Sequence, residues 1–406
     1  MGSPEAQMPI YCFAMSNLDY KVFDADNHYY EAEDAFIRHV DSKMQKRCMQ
    51  WAEVNGRRRL LVGGRINRFI PNPTFDPIAR PGCLDDYFRG KVAKADMREA
   101  FGELDPIPDS YRNPKARIKV MDAQGIEACF MFPTLGVGME SALEADPEAM
   151  LAAFDGFNKW LADDWGFAHD GRIISAGYLS LADPQWALDQ LDWMIDSGAR
   201  LINMRPSSVT DGAGGRRSLG HPDHEPVWQK INDAGLTVAM HAGDAGYGFL
   251  TEYWGLDSEF EAFRYNPLRS LLTHSPISDA IASLIAEGVL SRHPNIRICA
   301  IENGSEWVEP LVRKFRKTYG MQKHAFAEDP IEVFRRQVWV APYYEDDLLG
   351  LRDTIGADHI IFGSDFPHAE GLADPVSFAN DLDGFTDSEI EKIMRSNASA
   401  LAVRAV

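Results

Sequence analysis

Eight short apolar runs, each closing on a polar or glycine-rich turn, limit the folds open to this chain more than any other feature. They are Lys21–Asp26, Glu127–Phe132, Arg172–Leu181, Arg200–Arg205, Leu236–His241, Ile296–Glu302, Gln337–Pro342 and His359–Asp365. Runs that are apolar at nearly every position suit strands buried on both faces, as in a parallel sheet covered by helices. Helical patterns separate them: Pro114–Gln124 before Gly125, the long amphipathic Pro147–Ala168, and a helix opened by Asp183-Pro184 and stopped at Gly198. Further ones are Pro222–Ala234 before Gly235 and Ile277–Leu290 behind the Pro276 break. Asp before Pro is an N-cap followed by the residue best suited to the first helical position. Eight such alternations predict an α/β fold, a (β/α)8 TIM barrel, with 1–406 as one domain. A doubly wound open sheet would carry fewer strands and a glycine-rich phosphate turn after the first, which this sequence lacks.

Two stretches fall outside the repeat. Residues 29–113 separate the first strand from its helix by far more than a usual loop. They hold Gly56-Arg57-Arg58-Arg59, Pro71-Asn72-Pro73 and Pro106-Ile107-Pro108, and are expected to form an inserted subdomain over the barrel mouth or an arm reaching another subunit. The arginine run reads first as a solvated face and second as a subunit contact. Residues 242–276 are rich in aromatics (Tyr247, Phe249, Tyr253, Trp254, Phe260, Phe263, Tyr265) and are expected to be an active-site lid after strand five.

Charge and cysteine content remove whole classes of function. Of 406 residues, 41 are Lys or Arg and 61 Asp or Glu, a net charge of −20, which disfavours nucleic acid and anionic membranes as partners. The five cysteines are scattered without a CxxC pair, so reduced thiols and a cytoplasmic location are expected. No apolar run approaches the length of a membrane span. The insert suggests an oligomer, of this chain alone or with a related second chain, acting on a small-molecule substrate.

The strand ends are unusually polar. Strand one closes on Asp24-Ala25-Asp26-Asn27-His28, strand four on Arg205, strand five on His241-Ala242-Gly243-Asp244, strand six on Glu302-Asn303-Gly304 and strand eight on Ser364-Asp365-Phe366-Pro367-His368. In a TIM barrel those ends carry the chemistry. Alternation places Asp26 and His28 on one face of strand one, and with His241 and Asp365 they offer imidazole and carboxylate donors suited to Zn, Mn or Fe. Singly, each such Asp is more often a turn residue and each His a hydrogen-bonding group; four together point to a metal.

This set resembles the amidohydrolase superfamily, in particular the amidohydrolase-related branch that includes aminocarboxymuconate semialdehyde decarboxylase, γ-resorcylate decarboxylase and 5-carboxyvanillate decarboxylase. The motifs are Asp26-x-His28, His241 and Gly363-Ser364-Asp365-Phe366-Pro367-His368, and the resemblance extends to Asn397–Leu401 while omitting the insert. It implies a divalent metal ion on Asp26, His28, His241 and Asp365. Asp26 stands where some members have His and the decarboxylases often have Glu. Strand six departs further: Glu302-Asn303-Gly304 occupies the place of the decarboxylases' His-Gly-Gly.

Three readings follow. In the first, one metal acts as Lewis acid for hydrolysis or nonoxidative decarboxylation, with Asp365 moving the proton and Arg205 either clamping a substrate carboxylate or serving as a structural pair. In the second, Glu302 and His274 complete a second metal site, Fe/Fe or Mn/Fe, resembling amidohydrolase-fold non-heme oxygenases such as isobutylamine N-hydroxylase. There Glu302 could otherwise be a general base or pair with Arg205, and His368 is expected behind the ligands rather than among them. In the third, the chain is a non-catalytic barrel subunit of a hetero-oligomer.

Overall fold

The structure, a computed structural model, describes residues 18–91, 97–257, 266–272 and 275–405. Seven runs form parallel strands: Val22–Tyr29, Ile126–Pro133, the paired pieces Ile173–Ser175 and Gly177–Tyr178, Leu201–Asn203, Thr237–His241, Arg297–Ile301 and Val338–Val340. Each pairs in parallel with the next, the two pieces of strand three carrying the order across Ala176. The eighth run makes no regular ladder. Its Ile360 bridges Val340, its Phe366 bridges Asn27, and Phe362 O accepts from Ala25 N at 2.8 Å, so it lies between strand seven and strand one. The result is a TIM barrel.

Period-two alternation explains why these strands read as continuous apolar runs. Phe130 and Phe132, Leu201, Ala239, and Cys299 and Ile301 fill the barrel interior with Phe23, Ala25 and Ile174. Their neighbours Cys129 and Met131, Ile202, Val238 and Met240, and Ile298 and Ala300 face the helices instead. Those helices start as the sequence directs: Asn113, Asp146, Asp183 and Asp329 cap the N-termini of Pro114–Ala123, Pro147–Asp164, Pro184–Asp196 and Pro330–Gln337, each with proline in the first turn. The predicted 222–234 helix opens as a 3-10 turn before Glu225–Ala234. The predicted 277–290 helix divides into Pro276–Ala286 and Val289–Arg292, because Gly288 takes a left-handed φ of 77°.

The segment after strand one carries an antiparallel sheet, Met49–Val54, Arg57–Val62 and Arg65–Ile66. Asn55 and Gly56, with φ of 54° and 69°, make its first turn, a geometry that Asn-Gly adopts with little strain. Its apolar face, Met49, Leu60 and Val62, joins the main core. Arg112 fastens the end of the segment by donating to Tyr30 O, Glu31 O and Thr74 O at 3.3, 3.2 and 2.8 Å. Cys48, Cys83, Cys129 and Cys299 are free thiols, and Cys12 lies outside the described residues. Among the described residues no helix is long and apolar enough to cross a membrane.

Candidate metal centre

Phe23 and Ala25 point into the barrel, so strict alternation would send Asn27 inward and Asp26 outward. The register between strands one and two shifts between Asp24 and Asn27, and this irregularity re-aims the strand. Asp26 and His28 now face the interior, their Oδ1 and Nε2 3.2 Å apart. Asp24 and Asn27 share the other side, where Asp24 accepts from Asn27 Nδ2 at 2.8 Å and from Ser364 N and Oγ at 2.9 and 2.6 Å. Fully buried Arg117 bonds Asn27 Oδ1 and donates to His28 O at 2.8 Å. This network behind the wall holds strands one and eight in the alignment the centre needs.

Four donors, Asp26, His28, His241 and Glu302, converge in front of it, and Asp365 meets them at their edge through His28. His28 Nε2 lies 3.1 Å from His241 Nε2 and 3.3 Å from Asp365 Oδ1. His241 Nε2 lies 3.3 Å from both Asp26 Oδ1 and Glu302 Oε2. Ligands about 2.1 Å from one ion sit about 3.0 to 3.4 Å from one another in octahedral or tetrahedral geometry, which these separations match. His241 Nδ1 faces Ala242 O at 2.7 Å, so it carries the proton and leaves Nε2 a lone pair for a cation. Glu302 and Asp365 both adopt φ of 55°, an unfavourable backbone for non-glycine residues that recurs where a site dictates side-chain direction.

The electrostatics are those of a place built for positive charge. Burial pushes the Glu302 and Asp365 carboxyls well above the usual range, reinforced by Asp365 acting on Glu302 and by Glu370 and Asp26 acting on Asp365. Burial opposes ionisation of Asp26 too, but hydrogen bonds from His241 and His28 outweigh it and hold that carboxyl below its ordinary value. Burial, with His368 adding to it, lowers His28 to about 3. His241 goes the other way, Glu302 and Asp26 together overcoming its burial. Two imidazoles and three carboxylates without a cation leave like charges crowded in a low dielectric. A divalent ion fits this donor set.

A second cluster abuts the first: Glu302, Asp365, His368 and Glu370 bring ligand atoms within 4.8 Å of one another. His368 Nδ1 meets Asp365 Oδ1 at 2.5 Å and its Nε2 meets Thr134 Oγ1 at 3.0 Å, placing it behind Asp365. Glu370, two residues past the Pro367-His368 signature, is a member of this cluster that no motif in the sequence singles out.

The centre opens into a cavity of about 740 Å³. His28, His241, Glu302, His368 and Glu370 form its floor; Phe69, Phe75, Ile78, Phe101 and Leu104, all from the segment after strand one, form apolar walls. Of the 242–276 stretch, Ala242 and Gly243 line it, whereas Tyr253 and Trp254 are exposed to solvent; the described part of the expected lid thus turns its aromatics away from the cavity. Arg205 is drawn to two acids of the short helix Met139–Leu143 and its C-cap, 3.9 Å from buried Glu140 and 3.4 Å from half-buried Glu144, and pairs with neither Glu302 nor a site facing this cavity. The structural alternative for Arg205 is therefore the one its contacts match. His274 lies outside the described residues.

Comparison with known proteins agrees with this architecture. The amidohydrolase family model matches residues 77–401. An amidohydrolase from Mycobacterium avium subsp. paratuberculosis K-10 is 46% identical, over 96% of this chain and 99% of its own, with a TM-score of 0.90. A 2,6-dihydroxybenzoate decarboxylase from Rhizobium shares the fold at 20% identity, over 80% of this chain and 96% of its own, with a TM-score of 0.55. A manganese-bound 5-carboxyvanillate decarboxylase from Novosphingobium aromaticivorans DSM 12444 does so at 15% identity, over 98% and 99%, with a TM-score of 0.57.

Proposed function

The chain belongs to the amidohydrolase family, and from that premise we propose that it is a metal-dependent carboxy-lyase acting on a small, largely apolar carboxylic acid, with hydrolysis as the related chemistry of the same centre. The observation that carries this reading is the junction of an apolar cavity with a four-donor centre that has an Asp365–His368 pair at its edge. Asp26, His28, His241 and one or both of Glu302 and Asp365 would hold a divalent ion. When bound, the ion supplies Lewis-acid charge to a substrate carboxylate or carbonyl oxygen.

The chain's own residues do the rest. The aromatic and aliphatic walls exclude water and orient the substrate's apolar body. Asp365, steadied by His368, is placed to deliver a proton to the carbon that loses CO2, as the C–C bond breaks and its electron pair stays on that carbon. The decarboxylase names carried by distant structures of this fold support the same direction. Purified protein loaded with Mn, Zn or Fe(II) should release CO2 from hydroxylated benzoic acids and place one deuterium at the vacated carbon in D2O. Cleavage of esters, amides or lactones with no CO2 from any acid would overturn decarboxylation in favour of hydrolysis.

A second reading keeps the barrel and changes the chemistry. The Glu302, Asp365, His368 and Glu370 cluster favours room for a second cation, and with it a dinuclear Fe or Mn/Fe oxygenase. Elemental analysis showing two redox metals per chain, with substrate-dependent O2 consumption, is the outcome expected of that reading. One metal per chain and no O2 uptake removes it.

A further inference from the structure

We propose that the groove on the antiparallel sheet is an anion subsite that takes a phosphate-bearing part of the substrate whose apolar part occupies the metal-floored cavity; this rests on the cavity being the substrate's, as argued above. The chain has a net charge of −20, yet between Glu53 and Asp76 it has no acid and five arginines, Arg57, Arg58, Arg59, Arg65 and Arg68. Strand alternation divides the first three. Arg58 is spent on Glu33 and on the Trp51 ring, 5.2 Å from its centroid. Arg57 and Arg59 line a groove of about 650 Å³ together with Arg68, Asn55 and Asn67.

The groove adjoins the cavity. Ile70 and Pro71 line both, so the two spaces meet along this dipeptide, and Arg59 Nη1 donates to Pro71 O at 3.5 Å on the groove side. A substrate carboxylate has its cation at the metal centre. The guanidiniums of Arg57 and Arg59 with the carboxamides of Asn55 and Asn67 alongside suit a second, multiply charged group, because the guanidinium fork matches phosphate oxygens and cannot be deprotonated. A local basic patch on an acidic protein also draws an anionic ligand towards that side of the molecule.

The test uses inorganic pyrophosphate as probe, titrated calorimetrically into the full-length, metal-loaded protein and into the same protein stripped of metal. Saturable binding of one pyrophosphate per chain is expected in both, weakened about tenfold or more in Arg57→Gln/Arg59→Gln and unchanged in the charge-matched surface variant Lys314→Gln/Arg316→Gln. An alkyl diphosphate should bind more tightly than pyrophosphate, and Leu104→Asp should abolish only that increment. Binding that disappears with the metal, or that survives in Arg57→Gln/Arg59→Gln, overturns the subsite. So does a change of oligomeric state in that variant by sedimentation, which would make the patch an interface. Because the stripped protein retains the subsite, its failure is separate from failure of the lyase reading, which is judged by CO2 release alone.

Discussion

The barrel and the segment that follows its first strand solve different problems. In the barrel, alternate residues of each strand fill an interior of Phe23, Phe130, Ile174, Leu201 and Ile301, and several of these strands end in the candidate metal donors. Position there is set by the sheet. The walls over the centre come instead from 69–79 and 101–104, largely irregular chain held by the antiparallel sheet and by Arg112. The difference teaches that the candidate donors sit on the rigid element, while the surface proposed above to meet the substrate comes from chain outside the barrel sheet.

That division can be broken by substitution. The largest effect is expected for His241→Ala, which should lose the bound metal by elemental analysis and with it about a thousandfold or more of activity, while far-UV circular dichroism stays unchanged. Asp365→Asn should lower kcat by about 10² to 10⁴, with the pKa-dependent limb of the rate profile lost; unchanged kcat would remove Asp365 from proton delivery. Phe154 is fully buried and stacks on Tyr178 at 4.0 Å between centroids, so Phe154→Ala should cost about 3 to 5 kcal/mol in urea unfolding.

Glu31 joins the two regions, its carboxylate accepting from Leu135 N and Gly136 N at 2.9 Å, and burial raises its carboxyl from the ordinary 4.5 to about 7. A carboxyl raised in the folded state binds its proton more tightly there than when unfolded. Its contribution to stability is therefore full below about pH 4.5 and is lost as pH rises towards 7, a change of about 3 kcal/mol. The wild type should lose that much more stability than Glu31→Gln across this window; parallel curves would contradict the shift. Smallest of all, Leu104→Ala in the wall should raise KM several-fold with metal content, kcat and unfolding midpoint intact. If it lowered kcat as Asp365→Asn does, the separation of wall from chemistry would be wrong.

Most of the barrel was legible because burial on both faces leaves a continuous apolar trace, and because Asn or Asp before Pro marks a helix start. Strand three reads as one run in the sequence, whereas the structure breaks it at Ala176. The eighth run has a strand's apolar pattern, whereas hydrogen bonds to both neighbours hold it without a regular ladder. Asp26, His28, His241, Glu302 and Asp365 were legible as polar groups where strands end. Glu370 was not, since a lone acid two residues past a motif carries no periodic mark. Arg205 showed its charge but not its partners, because Glu140 and Glu144 come from a helix and turn some sixty residues earlier.

The sequence by itself determined the eight-fold alternation, the helix starts, and the supply of imidazoles and carboxylates at one end, all of which depend on residues near one another in the chain. Only the tertiary structure decided that a register shift between Asp24 and Asn27 turns Asp26 and His28 inward, and that a loop after strand one walls the cavity. Those outcomes depend on neighbouring strands and distant chain segments meeting in space. No local pattern of side chains encodes which of two faces a shifted strand presents.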